Sequence, residues 1–299
     1  MENNNRILTI QDISCVGQCS LTVALPIISA FGIETCILPS AILSTHTAGF
    51  KGFTCLEFTD EFKKIIAHWE KEKINFNAIY TGYLVNENQI NIIKELFTKL
   101  HTDTPPLKII DPVMADNGKL YPAFDMKFAQ AMKSLCLNAD IILPNLTEAC
   151  FLTDYEYKET YDEEYILKLI EKLKEFGAKI IILTGISYTK DTTGVVVVEK
   201  GEVKYYKHKK ISKNCHGTGD IYSSIFVGAY LHGIGAFDAA WIGRASCRER
   251  VYAACAAADF VVKCIEYTIE KYPSHWYGVK FEPLLTDFIT SIKNKYDLK

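Results

Sequence analysis

No run of apolar residues in this chain approaches the ~20 that a membrane-spanning helix requires, so no membrane partner is expected. The opening MENNNRILTI lacks a basic region leading into an apolar run, so no secretory leader is expected and a cytoplasmic protein is. Neither sign of charge is in excess. The formal net charge of −3 gives no reason to expect nucleic acid as a partner, and an anionic ligand must be held by local geometry. There is no Gly-x-x-x-x-Gly-Lys-Ser/Thr, which argues against a P-loop enzyme. Gly17 stands alone after the first strand-like run, so the Gly-x-Gly-x-x-Gly of a dinucleotide-dependent oxidoreductase is also missing. Low-complexity linkers and repeats of ~20–50 residues are absent too, and the 299 residues read as one domain, 1–299.

Cysteine is not scarce, at ten residues, but its spacing is unhelpful to a metal. Cys15 and Cys19 are four apart, with no second pair or histidine pair to complete a zinc set. Most of the cysteines fall inside apolar segments, which reads as buried free thiols in a reducing compartment.

What is present is an alternation. Short β-branched runs at Arg6–Gln11, Glu34–Pro39, Ala78–Gly82, Lys108–Asp111, Asp140–Leu143 and Lys179–Thr184 read as strands. Between most of them lie amphipathic stretches, Thr59–Lys71, Glu87–Leu100, Met126–Cys136 and Asp162–Phe176. Strand then helix, repeated, predicts an α/β fold with a mostly parallel central sheet and helices on both faces. A hairpin follows, Gly194–Val198 and Val203–Lys207, turning near Lys200-Gly201, and then two long helices, roughly Thr218–Leu231 and Phe237–Lys271. Ligands of such sheets bind beyond the carboxyl ends of the strands, which is where most of the motifs stand.

The strongest motif is Cys215-His216-Gly217-Thr218-Gly219-Asp220, ahead of the apolar helix Ile221–Leu231. Two glycines let the backbone fold tightly around an anion, and the helix adds its positive end. A carboxylate placed there suits a base that takes a proton from an attacking hydroxyl while N–H groups hold a phosphoryl group. The same residues also read as a glycine turn with an aspartate cap.

This segment resembles the GTGD signature of the ribokinase-like superfamily. Five further stretches narrow the resemblance to the pyridoxal/pyridoxamine kinase family, in the family's order: Ile7 to Ser14, Leu43-Ser44-Thr45-His46-Thr47, Thr81-Gly82-Tyr83-Leu84, Asp111-Pro112-Val113-Met114 and Pro144-Asn145-Leu146-Thr147-Glu148-Ala149. It covers roughly Ile7 to Asp238. The resemblance implies a ribokinase-like three-layer sandwich, a substrate of the B6 vitamer class, ATP as co-substrate, Mg²⁺, room for a monovalent cation, and a homodimer.

Carried onto matching positions, it makes Asp220 the base for the vitamer's hydroxymethyl group and Gly217, Thr218 and Gly219 the anion hole. Asn145 and Glu148 organise the metal and its waters, Glu148 as the metal residue, and Asp111 sits near the metal and the nucleotide phosphates. Asp111, Asn145 and Thr184 face the nucleotide, and Asp12, His46, Thr47 and Tyr83 the vitamer. Each has a plainer reading: Asn145 and Glu148 as a helix cap and its partner, Asp111 as a strand end, Thr184 as a turn residue, His46 and Tyr83 as core. Asp12 departs from the serine common in relatives, and a carboxylate there predicts a preference for pyridoxamine. The positive helix end is expected to keep Asp220 ionised at neutral pH. A hydroxymethylpyrimidine or sugar kinase of the same fold, or a non-catalytic vitamer-binding protein, are the alternatives.

One segment breaks the pattern. Ile242–Val251 brings Arg244, Arg248 and Arg250 into an alanine-rich apolar stretch, and the resemblance fails there. It reads like a translated sequencing adapter, or else as a solvated basic helical face; on the first reading its arginines carry no function.

Overall fold

The computed structural model describes residues 6–99, 105–211, 216–240 and 256–296. Residues Ile242–Val251 and Cys215 lie outside them. The first half alternates as expected: β1 (Arg6–Ser14), α1 (Leu21–Ala30), β2 (Glu34–Leu43), β3 (Cys55–Glu57), α2 (Thr59–Lys71), β4 (Ala78–Thr81), α3 (Glu87–Lys99) and β5 (Leu107–Ile110). A two-stranded ribbon follows, β6 (Ala115–Asp116) with β7 (Lys119–Leu120), then α4 (Met126–Cys136), β8 (Ile141–Ile142), α5 (Leu146–Thr153) and α6 (Glu163–Lys174). The chain continues through β9 (Ile180–Thr189), β10 (Thr192–Glu199), β11 (Glu202–Lys209), α7 (Thr218–Leu231), α8 (Ala236–Ala240), α9 (Ala256–Lys271) and α10 (Glu282–Tyr296).

Nine strands form one sheet in the order β11-β10-β9-β8-β5-β4-β1-β2-β3. The six from β9 to β2 run parallel, and β3, β10 and β11 join antiparallel at the edges. Period two in the strands sends successive side chains to opposite layers. Ile7, Ala78, Ile109, Ile141 and Ile182 pack with α1, α7, α9 and α10 on one face. Leu8, Ile79, Ile110, Ile142 and Ile181 pack with α2 to α6 on the other. This is the expected three-layer sandwich. It explains why the central strands are apolar without alternation: both of their faces are buried.

The β10–β11 turn is the predicted one. Lys200 and Gly201 both have positive φ, 51° and 83°, as a two-residue turn matched to strand twist requires. The long helix read over Phe237–Lys271 is seen as α8 and α9, whose connection lies outside the described residues. Two helices gave no sequence period: α1 and α5 are apolar nearly all round, and α1 carries Pro26 in its interior. The expectation of buried thiols holds for Cys136, Cys150 and Cys264 but not for Cys15 and Cys55, which are exposed on the loop after β1 and on the edge strand β3. Among the described residues, no helix is long and apolar enough to cross a membrane.

Candidate active site

The N-terminus of α7 sits over the carboxyl ends of the parallel strands and forms one wall of a cavity of about 400 Å³. Gly217 is its N-cap, with φ 79°, and a Cβ there would overlap the carbonyl oxygen of Gln18. No L-residue with a side chain fits that position without moving the loop after β1. Gly219 differs: nothing lies within 4 Å of where its Cβ would be. Its missing side chain therefore leaves space open at the first turn of the helix. The geometry is that of an anion seat.

Asp220 lies one step further along α7 and forms part of the same wall. Burial pushes its carboxyl up to about 7; the backbone N–H of Ser20 pulls it down, and the nearby Asp12 raises it. The expectation that the helix end keeps it fully ionised is corrected here. Protein surrounds the group closely enough that lost hydration outweighs the dipole. Asp111, just past β5, is also pushed up, first by burial and then by the charge of Asp220, while the Ser223 hydroxyl donates to its Oδ2 at 2.9 Å.

The raised carboxyl of Asp220 has a consequence for stability. A folded state that holds this proton more tightly than the unfolded chain gains stability from it below pH ~4, and loses that gain as pH rises through about 7. Asp220→Asn carries no charge at any of these pH values. Its melting temperature should exceed that of the unmutated chain by on the order of 5 °C at pH 8, and by much less at pH 5. Equal shifts at the two pH values would contradict the burial argument.

Asn145 and Glu148 form a capping box at the start of α5. Asn145 Oδ1 accepts the N–H of Glu148 at 2.9 Å, and Glu148 Oε2 accepts the N–H of Asn145 at 2.8 Å. The plainer reading of this pair is therefore correct, and it does not exclude the functional one. Asn145 Nδ2 donates to the carbonyl of Ala115, and Glu148 Oε1 accepts from the N–H of Met114 at 3.2 Å. Thr184 bridges to Asn145 across neighbouring strands, its N–H donating to the carbonyl of Pro144. Asp111, Asn145, Glu148, Thr184 and the Gly217–Asp220 turn all line the one cavity. A second cavity of about 570 Å³ shares Asp116, Asn145, Thr184 and Gly185 with it, so the two adjoin as one open trough.

The residues assigned to the vitamer fall beside that trough, not in its walls. Asp12 is buried near the end of β1, accepts from the Ser14 hydroxyl at 2.9 Å and faces the Ser20 hydroxyl. Burial pushes the Tyr83 phenol up to about 12, and the charge of Asp12 adds to it. His46 is buried, 5.0 Å from the ring of His216, with Nε2 3.1 Å from the carbonyl of Tyr277. Thr47 is exposed. Sequence reasoning missed Ser20, Ser223 and Tyr121. Ser223 was findable, since it stands one helical turn from Asp220 on the same face; nothing marked Ser20.

Residues that could hold a divalent cation can be tested on their donor chemistry. Among the described residues no three His, Cys, Asp or Glu side chains cluster as a closed metal cage. What is present is hard carboxylate oxygen on one side of an open trough, which fits an ion that keeps most of its waters. Asp111 has one oxygen not engaged by Ser223, whereas both oxygens of Glu148 already accept backbone N–H groups.

The profile of a family described as phosphomethylpyrimidine kinase matches residues 25–269 of this sequence. The chain belongs to that family. Within it and around it, the chain is similar to a pyridoxal kinase of Dictyostelium discoideum, 28% identical over 75% of this chain and 77% of that one. It is also similar to a candidate phosphomethylpyrimidine kinase of Bacteroides thetaiotaomicron crystallised with pyridoxal: 31% identical, TM-score 0.85, with 96% of each chain covered. A pyridoxal kinase structure from Lactobacillus plantarum superposes with a TM-score of 0.83 at 26% identity over 97% of this chain and 98% of that one. These structures share the mostly parallel sheet with helices on both faces described above.

Proposed function

We propose that this chain transfers the γ-phosphoryl group of ATP to the hydroxymethyl oxygen of a B6 vitamer. The observation that carries the reading is Asp220: a carboxylate beside an anion seat, poised near neutrality, at the junction of the trough and the Asp12–Tyr83 region. Similarity to pyridoxal kinases, and to a structure holding pyridoxal, supports the choice of substrate.

In this account the vitamer's hydroxymethyl oxygen attacks the γ-phosphorus in line. The new O–P bond forms as the bond to the bridging oxygen of ADP breaks, and the alcohol proton passes to the Asp220 carboxylate. The first N–H groups of α7 hold the phosphoryl oxygens, and Gly219 leaves them room. Asp111 and, through its fixed cap, the Asn145–Glu148 pair would hold Mg²⁺, which when bound neutralises phosphate charge. Thr184 and Asn145 line the place where the two cavities meet and would flank the nucleotide. Asp12, whose carboxyl is raised by burial and lowered by the Ser20 and Ser14 hydroxyls, becomes the partner of a cationic vitamer whose charge would restore its own.

The family's own description keeps a hydroxymethylpyrimidine as the second reading. A substrate panel separates them. With Mg²⁺ and ATP, kcat/KM should be highest for pyridoxamine, then pyridoxal and pyridoxine, and at least about tenfold lower for hydroxymethylpyrimidine. Asp12→Ser should remove the advantage of pyridoxamine. Faster turnover of the pyrimidine would overturn the vitamer assignment; equal turnover of pyridoxal and pyridoxamine would overturn the role of Asp12 alone.

A further inference from the structure

On the α7 face of the sheet, polar side chains gather directly behind the cavity wall, in a core that is otherwise mostly aliphatic. Gln11 lies on β1, Tyr80 on β4, Asp111 just past β5, and Ser223 on α7. Strand register explains the gathering. Thr9 pairs with Tyr80 and Tyr80 with Ile109, and a period of two carries Thr9 to Gln11 and Ile109 to Asp111 on the same face. Gly82 makes the gap that Gln11 fills: a Cβ there would stand 2.9 Å from Cγ and Cδ of Gln11.

Gln11 and Tyr80 are completely buried and Ser223 nearly so. Gln11 Nε2 donates to Thr9 Oγ1 at 3.0 Å, and Ser223 Oγ donates to Asp111 Oδ2 at 2.9 Å. The Tyr80 hydroxyl is within reach of both Ser223 and Gln11, yet neither it nor Gln11 Oε1 has a hydrogen bond of good geometry. A buried polar group left so is destabilising. Phenylalanine and leucine would fill similar volumes here without that cost, so stability does not account for these residues.

We propose that Tyr80 is a positioning residue for Asp111, acting through Ser223. A serine hydroxyl rotates and carries one proton. The Tyr80 hydroxyl makes no hydrogen bond of good geometry as it stands, and turning its O–H toward Ser223 Oγ leaves the serine proton to the Asp111 carboxylate, which already accepts it. Gln11, itself completely buried, stands within reach of the same hydroxyl. Asp111 then presents its other oxygen to the trough in one orientation, toward the phosphates and their metal. Ser223 and Asp220 share one turn of α7, so the same chain fixes Asp111 relative to the base.

This inference rests on the kinase reading above. Its test uses the full chain as Tyr80→Phe, Ser223→Ala and the double variant. The readouts are steady-state kinetics with Mg²⁺, ATP and pyridoxal, calorimetric titration with Mg²⁺ and ADP, and thermal melts. Each single variant should lose about tenfold in kcat with KM for pyridoxal within about twofold, since a small misplacement near the reacting groups costs rate more than binding. Mg²⁺-dependent ADP affinity should weaken several-fold in both, and the double variant should be no worse than the poorer single. Unchanged kcat and ADP affinity in Tyr80→Phe would overturn the proposal. So would losses that multiply in the double variant, or losses that simply follow a lowered melting temperature. Should the unmutated chain transfer no phosphoryl group, the kinase reading fails, and the ADP titration alone decides this one by the same two outcomes.

Discussion

Replacing Asp220 by alanine is expected to lower kcat for vitamer phosphorylation by about 10³-fold, the range a positioned general base supplies. The dissociation constant for pyridoxal should change little, because Asp220 meets the alcohol proton and not the ring. Phosphate binding should if anything tighten. Asp220 raises the carboxyl of Asp111 by repulsion, so removing one of two facing carboxylates relieves charge at the mouth of the anion seat. The signature is thus a collapse in kcat with unchanged vitamer binding and an equal or lower KM for ATP. Steady-state kinetics with calorimetric binding of pyridoxal reads all three. A variant retaining a tenth or more of the parent kcat would remove Asp220 from the role of base.

Gly217→Ala is expected to be nearly as damaging for a different reason. The residue is held at φ 79°, where an L side chain adds about 1–3 kcal/mol of strain, and its Cβ would overlap the Gln18 carbonyl. Relief requires α7 or the loop carrying Gln18 and Ser20 to move. Ser20 gives its N–H to Asp220 and its hydroxyl to Asp12, at a positive φ of its own, so the displacement reaches both carboxylates. Activity should fall by about 10²-fold or more, and the melting temperature by several degrees. Gly219→Ala is the control: with open space around the new methyl, it should keep the melting temperature while obstructing the phosphoryl seat. Normal activity and stability in Gly217→Ala would show that the turn tolerates what its geometry forbids.

The contrast between these two glycines shows where the sequence is legible. Both stand in the same four-residue motif, and from the sequence they are equivalent; only the chain folded against Gly217 separates a packing glycine from one that faces open space. Amphipathic elements read well for the same reason that they fold simply. α2 and α4 match their predicted spans residue for residue, since one face meets the sheet and the other meets water. α1 and α5 are apolar on nearly every side, and the edge strand β3 is three exposed residues, so neither carries a period. The residues assigned to the nucleotide and the anion hole line one cavity because parallel strands deliver their carboxyl ends to one edge. Charge states were less legible: a helix terminus is visible in sequence, whereas the burial that outweighs it at Asp220 is a property of the packed chain. Tyr80 and Gln11 looked like strand residues and nothing more.

The most direct test of the account follows the phosphoryl group itself. Purified chain, Mg²⁺, ATP and pyridoxal are combined, and the products are read by ³¹P magnetic resonance. The account predicts a new phosphate monoester on the vitamer appearing in step with ADP, and neither signal without vitamer or with Asp220→Ala. Pyridoxal and ATP that bind but leave ATP intact, or ATP hydrolysed to free phosphate with no ester formed, would contradict it.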